Sequence, residues 1–195
     1  MLDPLTFYVG RVMRTFGDNP EGSTQKNLTA YIDRDRSMVS SLTGELTWDY
    51  SSGLVRVDTP RSQGVAGFLA KAGRIELSDV AIESRNDFGT VMVMSLDDEP
   101  IATSKAILIQ AMTEERPYGF KVEGNRITDL GGQPFGIRKL AMAVSLALQG
   151  TGEVTVIRLD ENGYPAGELS RSQIGEGPLR IELAEDAIYH VVARQ

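Results

Sequence analysis

Covalent and acid–base chemistry draw on a short list of side chains, and this sequence withholds most of them. It has no cysteine and one histidine, His190. Without cysteine there is no thiolate nucleophile, no disulfide and no cysteine-based zinc site. A Ser-His-Asp device needs a histidine base beside its nucleophile. His190 follows Tyr189 in a strand-like terminal segment and reads as a strand residue paired across a sheet. Transition-metal sites want several His or Cys ligands, which this chain cannot supply. Gly131-Gly132 is not followed by the Gly-Lys-Ser/Thr of a phosphate-binding loop. Paired carboxylates are the remaining device, since a glycosidase needs only two acids about 5–9.5 Å apart. Glu45, Asp49 and Asp58 bracket one hairpin and could gather on one rim, although charges flanking strands are ordinarily solvated or cap turns. Asp97-Asp98-Glu99 and Asp160-Glu161-Asn162 could supply oxygen ligands to a structural calcium, but neither has EF-hand spacing. The expectation is a chain with no catalytic residue and no required cofactor.

What remains is aromatic. Trp48, the only tryptophan, and Tyr50 share parity on one strand, so their rings should stand about 7 Å apart on one face. Two roles compete for them: a core anchor, or a stacking platform for sugar rings helped by Asp49, Asp58, Arg61 and Gln63. Tyr118, Phe120 and Tyr164 lie in Gly/Pro-rich, loop-like surroundings, where a ligand surface is expected to sit.

The element that must position Trp48 is a hairpin within 43–68. Leu46, Trp48 and Tyr50 alternate, Ser51-Ser52-Gly53 turns, and Leu54, Val55 and Val57 continue. Around it, strands are expected at 6–14, 64–69, 74–83, 90–96, 106–112, 153–159, 179–183 and 188–194. Residues 16–26 read as a loop, and 27–36 fit either one helical turn or a short extended piece. The phase of 74–83 slips at Ser78-Asp79, which predicts a bulge or a corner, and 90–96 is apolar enough for burial on both faces. In 137–148, Leu140, Met142, Val144, Leu146 and Leu148 fall on one parity and Ala141, Ala143, Ser145 and Ala147 on the other. That separation reads as a strand despite the helix propensity of alanine. About twelve short strands with frequent turns predict an all-β, antiparallel β-sandwich of jelly-roll or Ig-like kind with little helix. It is read as a single domain over 1–195, with a sub-boundary or long functional loop in the Gly/Pro-rich stretch 113–136.

A chain of 195 residues with 41% hydrophobic and 24% charged content is globular, and it can bury roughly 70% of its unfolded surface. Its formal charge of −7 argues against nucleic acid and anionic membrane as partners. No apolar run approaches the roughly 18 residues of a membrane-spanning helix, and Met1-Leu-Asp-Pro does not open a signal peptide. A start on Asp3-Pro4 that runs almost at once into strand-like sequence reads as a piece of a longer protein.

Five stretches carry a resemblance: 43–68, IELSDVAIES (75–84), SLDDEPIATSKAILIQ (95–110), ITDLGGQPFGI (127–137) and VIRLDENGYPAGEL (156–169). From Phe7 onward the chain resembles the C-terminal β-sandwich region that follows the TIM barrel in some bacterial glycoside hydrolases. The resemblance implies a non-catalytic accessory domain beside a catalytic barrel in the parent chain, with a polysaccharide or oligosaccharide as partner and an extracellular or periplasmic location. It supplies no ligand motif, so the candidate binding residues are physical choices: Trp48, Asp49, Tyr50, Arg61, Gln63, Tyr118, Phe120 and Tyr164. The alternative is a structural domain that packs on the barrel without a ligand. A free-standing hydrolase is the third reading.

Overall fold

The computed structural model describes residues 3–13, 16–17, 27–175 and 177–194. One helical turn, α1 (Thr6–Val9), precedes a meander of β1 (Ile32–Asp33), β2 (Met38–Ser40), β3 (Leu46–Asp49), β4 (Leu54–Asp58) and β5 (Ser62–Gly67). A second turn, α2 (Leu69–Ala72), leads to β6 (Ile75–Glu76) and β7 (Val80–Ser84), and then to the hairpin β8 (Gly89–Ser95) and β9 (Ala106–Thr113). An excursion follows, made of β10 (Glu115–Tyr118), β11 (Lys121–Glu123), β12 (Arg126–Asp129) and β13 (Gly132–Ile137). The chain closes through β14 (Met142–Leu146), β15 (Glu153–Leu159), β16 (Pro165–Gln173), β17 (Leu179–Glu182) and β18 (Tyr189–Arg194).

Fourteen of these strands form two packed antiparallel sheets, so the fold is an all-β sandwich. The large sheet runs β1-β2-β3-β4-β5-β8-β9-β18-β15-β16, and the small one β17-β14-β7-β6. Alternating side chains decide what faces inward. In the large sheet, Gln63, Val93, Ile109 and His190 are register partners in one row and are all buried. The next row, Gly64, Met92, Gln110 and Tyr189, turns to the outer face. In the small sheet, the row Ile82, Val144 and Ile181 is buried against the large sheet. The core is one cluster that takes Leu54, Val65, Val91, Val156 and Val192 from one sheet and Ile75, Val80, Met142 and Leu146 from the other.

Several sequence expectations change. Residues 6–14 were expected as a strand, but 6–9 form a helical turn. Asp3 starts it, its Oδ1 accepting the Leu5 N–H at 3.0 Å and its carbonyl accepting the Thr6 N–H at 3.0 Å. Val9 then packs as a buried residue, overriding the strand propensity of Thr6-Phe7-Tyr8-Val9. Of the expected loop at 16–26, all but residues 16 and 17 lies outside the described residues. The segment 90–96 is not buried on both faces: β8 buries Val91 and Val93 and leaves Met92 and Met94 half-buried on the outer face. The corner at Ser78-Asp79 is present as the turn from β6 to β7. No helix of the described residues is long and apolar enough to cross a membrane.

Among the described residues the count of eighteen strands exceeds the expected twelve mainly because the stretch 113–136 is not a loop. It is a ribbon in which β10 pairs with β13 and β11 with β12. Glycines at Gly119, Gly124 and Gly131 take positive φ at its turns. The β16 strand, PAGELSRSQ, lacks the apolar alternation that marks a strand and forms the outer edge of the large sheet.

Candidate functional site

The sequence-derived candidates do not converge on one surface. Trp48 is half-buried, in register with Val39 and Val55. Its ring lies 5.9 Å from Tyr8 at 38° and 5.7 Å from Tyr50 at 66°. Three rings tilted or edge-on to one another make a packed cluster over the outer face, not a flat platform. Asp49 is committed to its turn: Oδ1 accepts the N–H and hydroxyl of Ser51 at 3.0 and 2.7 Å and the Ser52 N–H at 3.0 Å. These contacts, Ser52 foremost, hold its carboxyl at about 2. Arg61 pairs with Asp98 on the surface.

Gln63, expected at a ligand surface, is fully buried and its amide is engaged within the protein. Its Nε2 donates to Asp79 Oδ2 at 2.9 Å and to the Thr59 carbonyl at 3.3 Å, while Oε1 accepts the Asp79 N–H at 2.8 Å. That network pins the β6–β7 corner to β5, and a buried amide without it would be costly. Tyr118 is 78% exposed on the ribbon, and Phe120 beside it is half-buried with the Arg116 guanidinium 4.8 Å from its ring centroid. Tyr164 is 69% exposed at the β15–β16 turn, where Asp160 Oδ1 accepts its N–H at 2.8 Å. Six strand spacings separate β3 from β15, which puts Tyr164 roughly 30 Å across the sheet from Trp48.

The acidic candidates separate as well. Glu45 and Asp58 are neighbours, the Asp58 N–H donating to the Glu45 carbonyl at 2.8 Å, whereas Asp49 lies at the other end of the hairpin. Asp58 also accepts the Ser78 hydroxyl at 3.0 Å. The two loops considered for calcium are knit by their own hydrogen bonds. Asp97 accepts from the Ser95 and Ser104 hydroxyls at 2.9 and 2.7 Å and from the Lys105 N–H at 2.6 Å, and Asp160 accepts the Asn162 N–H. Among the described residues no three acidic or histidine side chains gather as a cation site.

A concave site does form elsewhere, on the outer face of the small sheet. Its floor comes from the small parity of β14: Ala143 lies in register between Glu83 and Glu182, and Ser145 between Ala81 and Arg180. Alanines leave a depression that the flanking long side chains wall in. The resulting trough of about 550 Å3 is lined by Arg74, Glu83, Arg85, Ala141, Ala143, Arg180 and Glu182, among others. Glu83 is held from two sides, by Arg180 and, at 3.7 Å, by Arg74, and Arg180 continues to Glu182 at 2.9 Å. Arg180 foremost, these cations hold the Glu83 carboxyl below its ordinary range. The walls therefore present paired guanidinium and carboxylate groups over a floor of small residues. Sequence reading missed every wall residue. The usable signal was the alternation of charged with apolar residues in 180–183 and 74–77, matched to the small parity of 141–147.

The second conspicuous surface is the ribbon. Tyr118, Val122, Ile127, Leu130, Phe135 and Ile137 are all exposed there. Register places Pro117 opposite Phe135 and Val122 opposite Ile127, so apolar side chains pair across its strands in solvent. Comparison with protein-family models, with curated proteins and with solved structures found no match.

Proposed function

We propose that this chain is a non-catalytic accessory module that holds polysaccharide or oligosaccharide beside the catalytic TIM barrel of a glycoside hydrolase. The trough on the small sheet carries the reading. Its volume of about 550 Å3 lies in the range of small-molecule sites and suits one or two sugar rings. Paired guanidinium and carboxylate groups offer fixed donors and acceptors to neighbouring hydroxyls. The floor of Ala141 and Ala143 offers small apolar side chains to the C–H face of a pyranose. The side-chain chemistry supports holding rather than cleavage, because the arginine-clamped Glu83 is poorly placed to act as a proton donor.

The exposed ribbon favours a second reading, in which the module docks through it onto a neighbouring domain. Contiguous exposed apolar side chains are the mark of such contacts. Both tasks are compatible in one chain, since the ribbon supplies none of the residues that line the trough.

The test is affinity electrophoresis of the purified domain through gels containing xylan, mannan, mixed-linkage glucan or polygalacturonate. At least one polysaccharide should retard the protein. Arg180→Ala should weaken that retardation about tenfold, and Trp48→Ala should leave it unchanged. Retention on no polysaccharide would refute the carbohydrate reading, and loss with Trp48→Ala alone would move the site off the trough.

A further inference from the structure

We infer that the trough is built for an acidic sugar, a uronic acid unit whose carboxylate is received by Arg85. The inference rests on the carbohydrate reading and names the class of sugar. Three arginines, Arg74, Arg85 and Arg180, line the trough with Glu83 and Glu182, and Glu76 pairs with Arg74 at its side. Arg74 and Arg180 are engaged with Glu83 and its neighbours, whereas the Arg85 guanidinium has no partner among the described residues.

The backbone beneath Arg85 is fixed on both sides. Its N–H donates to the Ala141 carbonyl at 2.9 Å. Asn86 clamps the same junction, with Nδ2 donating to the Lys139 carbonyl at 3.0 Å and Oδ1 accepting the Ala141 N–H at 2.7 Å. Ser84 adds a reciprocal turn, its Oγ accepting the Asn86 N–H at 3.0 Å. Lys139, the nearest cation in sequence on the facing segment, is taken up by Glu185. A rigidly held main chain thus carries, beside the trough, an arginine without a carboxylate partner, the side chain best suited to a carboxylate. The paired wall residues remain for the hydroxyls.

The experiment compares polygalacturonate with its fully methyl-esterified form and with neutral mannan, by affinity electrophoresis of the intact chain. The expected result is retardation by polygalacturonate at least tenfold stronger than by either uncharged polymer. Arg85→Gln should abolish that difference, with melting temperature and circular dichroism unchanged. Arg126→Gln, which removes one charge from the ribbon, should change nothing. Equal binding of charged and uncharged polymers, or an equal loss in both variants, would overturn the inference and leave the carbohydrate reading standing. Competition by poly-L-glutamate as strong as by oligogalacturonate would overturn it too, by showing a site for any polyanion. Retention on none of the polymers would remove the carbohydrate reading and this inference together.

Discussion

His190 shows how one buried side chain sets a property of the whole chain. It is fully buried in the row with Gln63, Val93 and Ile109, and its Nε2 accepts the Ala184 N–H at 3.0 Å. That bond puts the proton of the neutral ring on Nδ1, which has no partner. Burial first, and then the charge of Arg158, push its pKa down to about 4, with Asp186 acting in the opposite direction. The linkage has a definite sign. Above the ordinary value near 6.5 both folded and unfolded chains hold a neutral ring, and the contribution is complete. Between 6.5 and about 4 the unfolded chain binds a proton that the folded chain refuses, so stability falls as pH falls. The loss is on the order of 2–3 kcal/mol by pH 4. Carboxylates such as Asp49, at about 2, titrate lower, so the upper half of the window belongs to the imidazole. Melting temperature followed from pH 7 to 4.5 should decline, and His190→Gln should flatten that decline. An unchanged slope in the variant would refute the assignment.

Among the elements, β5 is the one with least room. Gly64 sits between β4 and β8, where an added Cβ would meet the Val91 carbonyl and the Met92 Sδ. Gly64→Ala should therefore cost about 1–3 kcal/mol, or roughly 3–10 °C in melting temperature by calorimetry. Gly136→Ala, on the ribbon with no atom within 4 Å of the added carbon, should be nearly silent. Equal shifts in the two variants would show that space is not what matters. The contrast also marks how far the sequence could be read. Strand-length apolar runs between turns exposed β8, β9, β15 and β18, and the segregation of large from small residues in 140–148 exposed β14, because a half-buried sheet imposes a period of two. Such reading failed where burial does not impose a pattern. The ribbon is exposed on both faces, and β16 is an edge strand of mostly polar residues, so neither had an apolar rhythm to find. At 6–9 the reverse happened: strand-like residues were bent into a turn by the Asp3 side chain. The trough was illegible for another reason, since Arg74, Arg85 and Arg180 become neighbours only after β7, β14 and β17 pair.

At the scale of the whole molecule, a single core draws on residues from Leu54 to Val192 and crosses both sheets. The Gly/Pro-rich stretch contributes no residue to that core. Its neck is closed by the pairing of Glu115 with Ile137 and by the Thr113 hydroxyl, which donates to the Arg138 carbonyl at 2.7 Å. Replacing 116–136 by Asn-Gly should leave one calorimetric transition within a few degrees of the parent, because a two-residue turn can join directly paired strands. Two transitions, or failure to fold, would show that the ribbon supports the sandwich. The margins of the ten-stranded sheet carry a last consequence. One margin is β1, two residues long; the other is β16, whose ladder with β15 slips twice and whose Arg171 is tied to Glu153 and Glu168. A stub and a kinked, charge-clamped border give a foreign strand little to copy. Copies of the chain can therefore crowd together at high concentration without zipping edge to edge into fibrils.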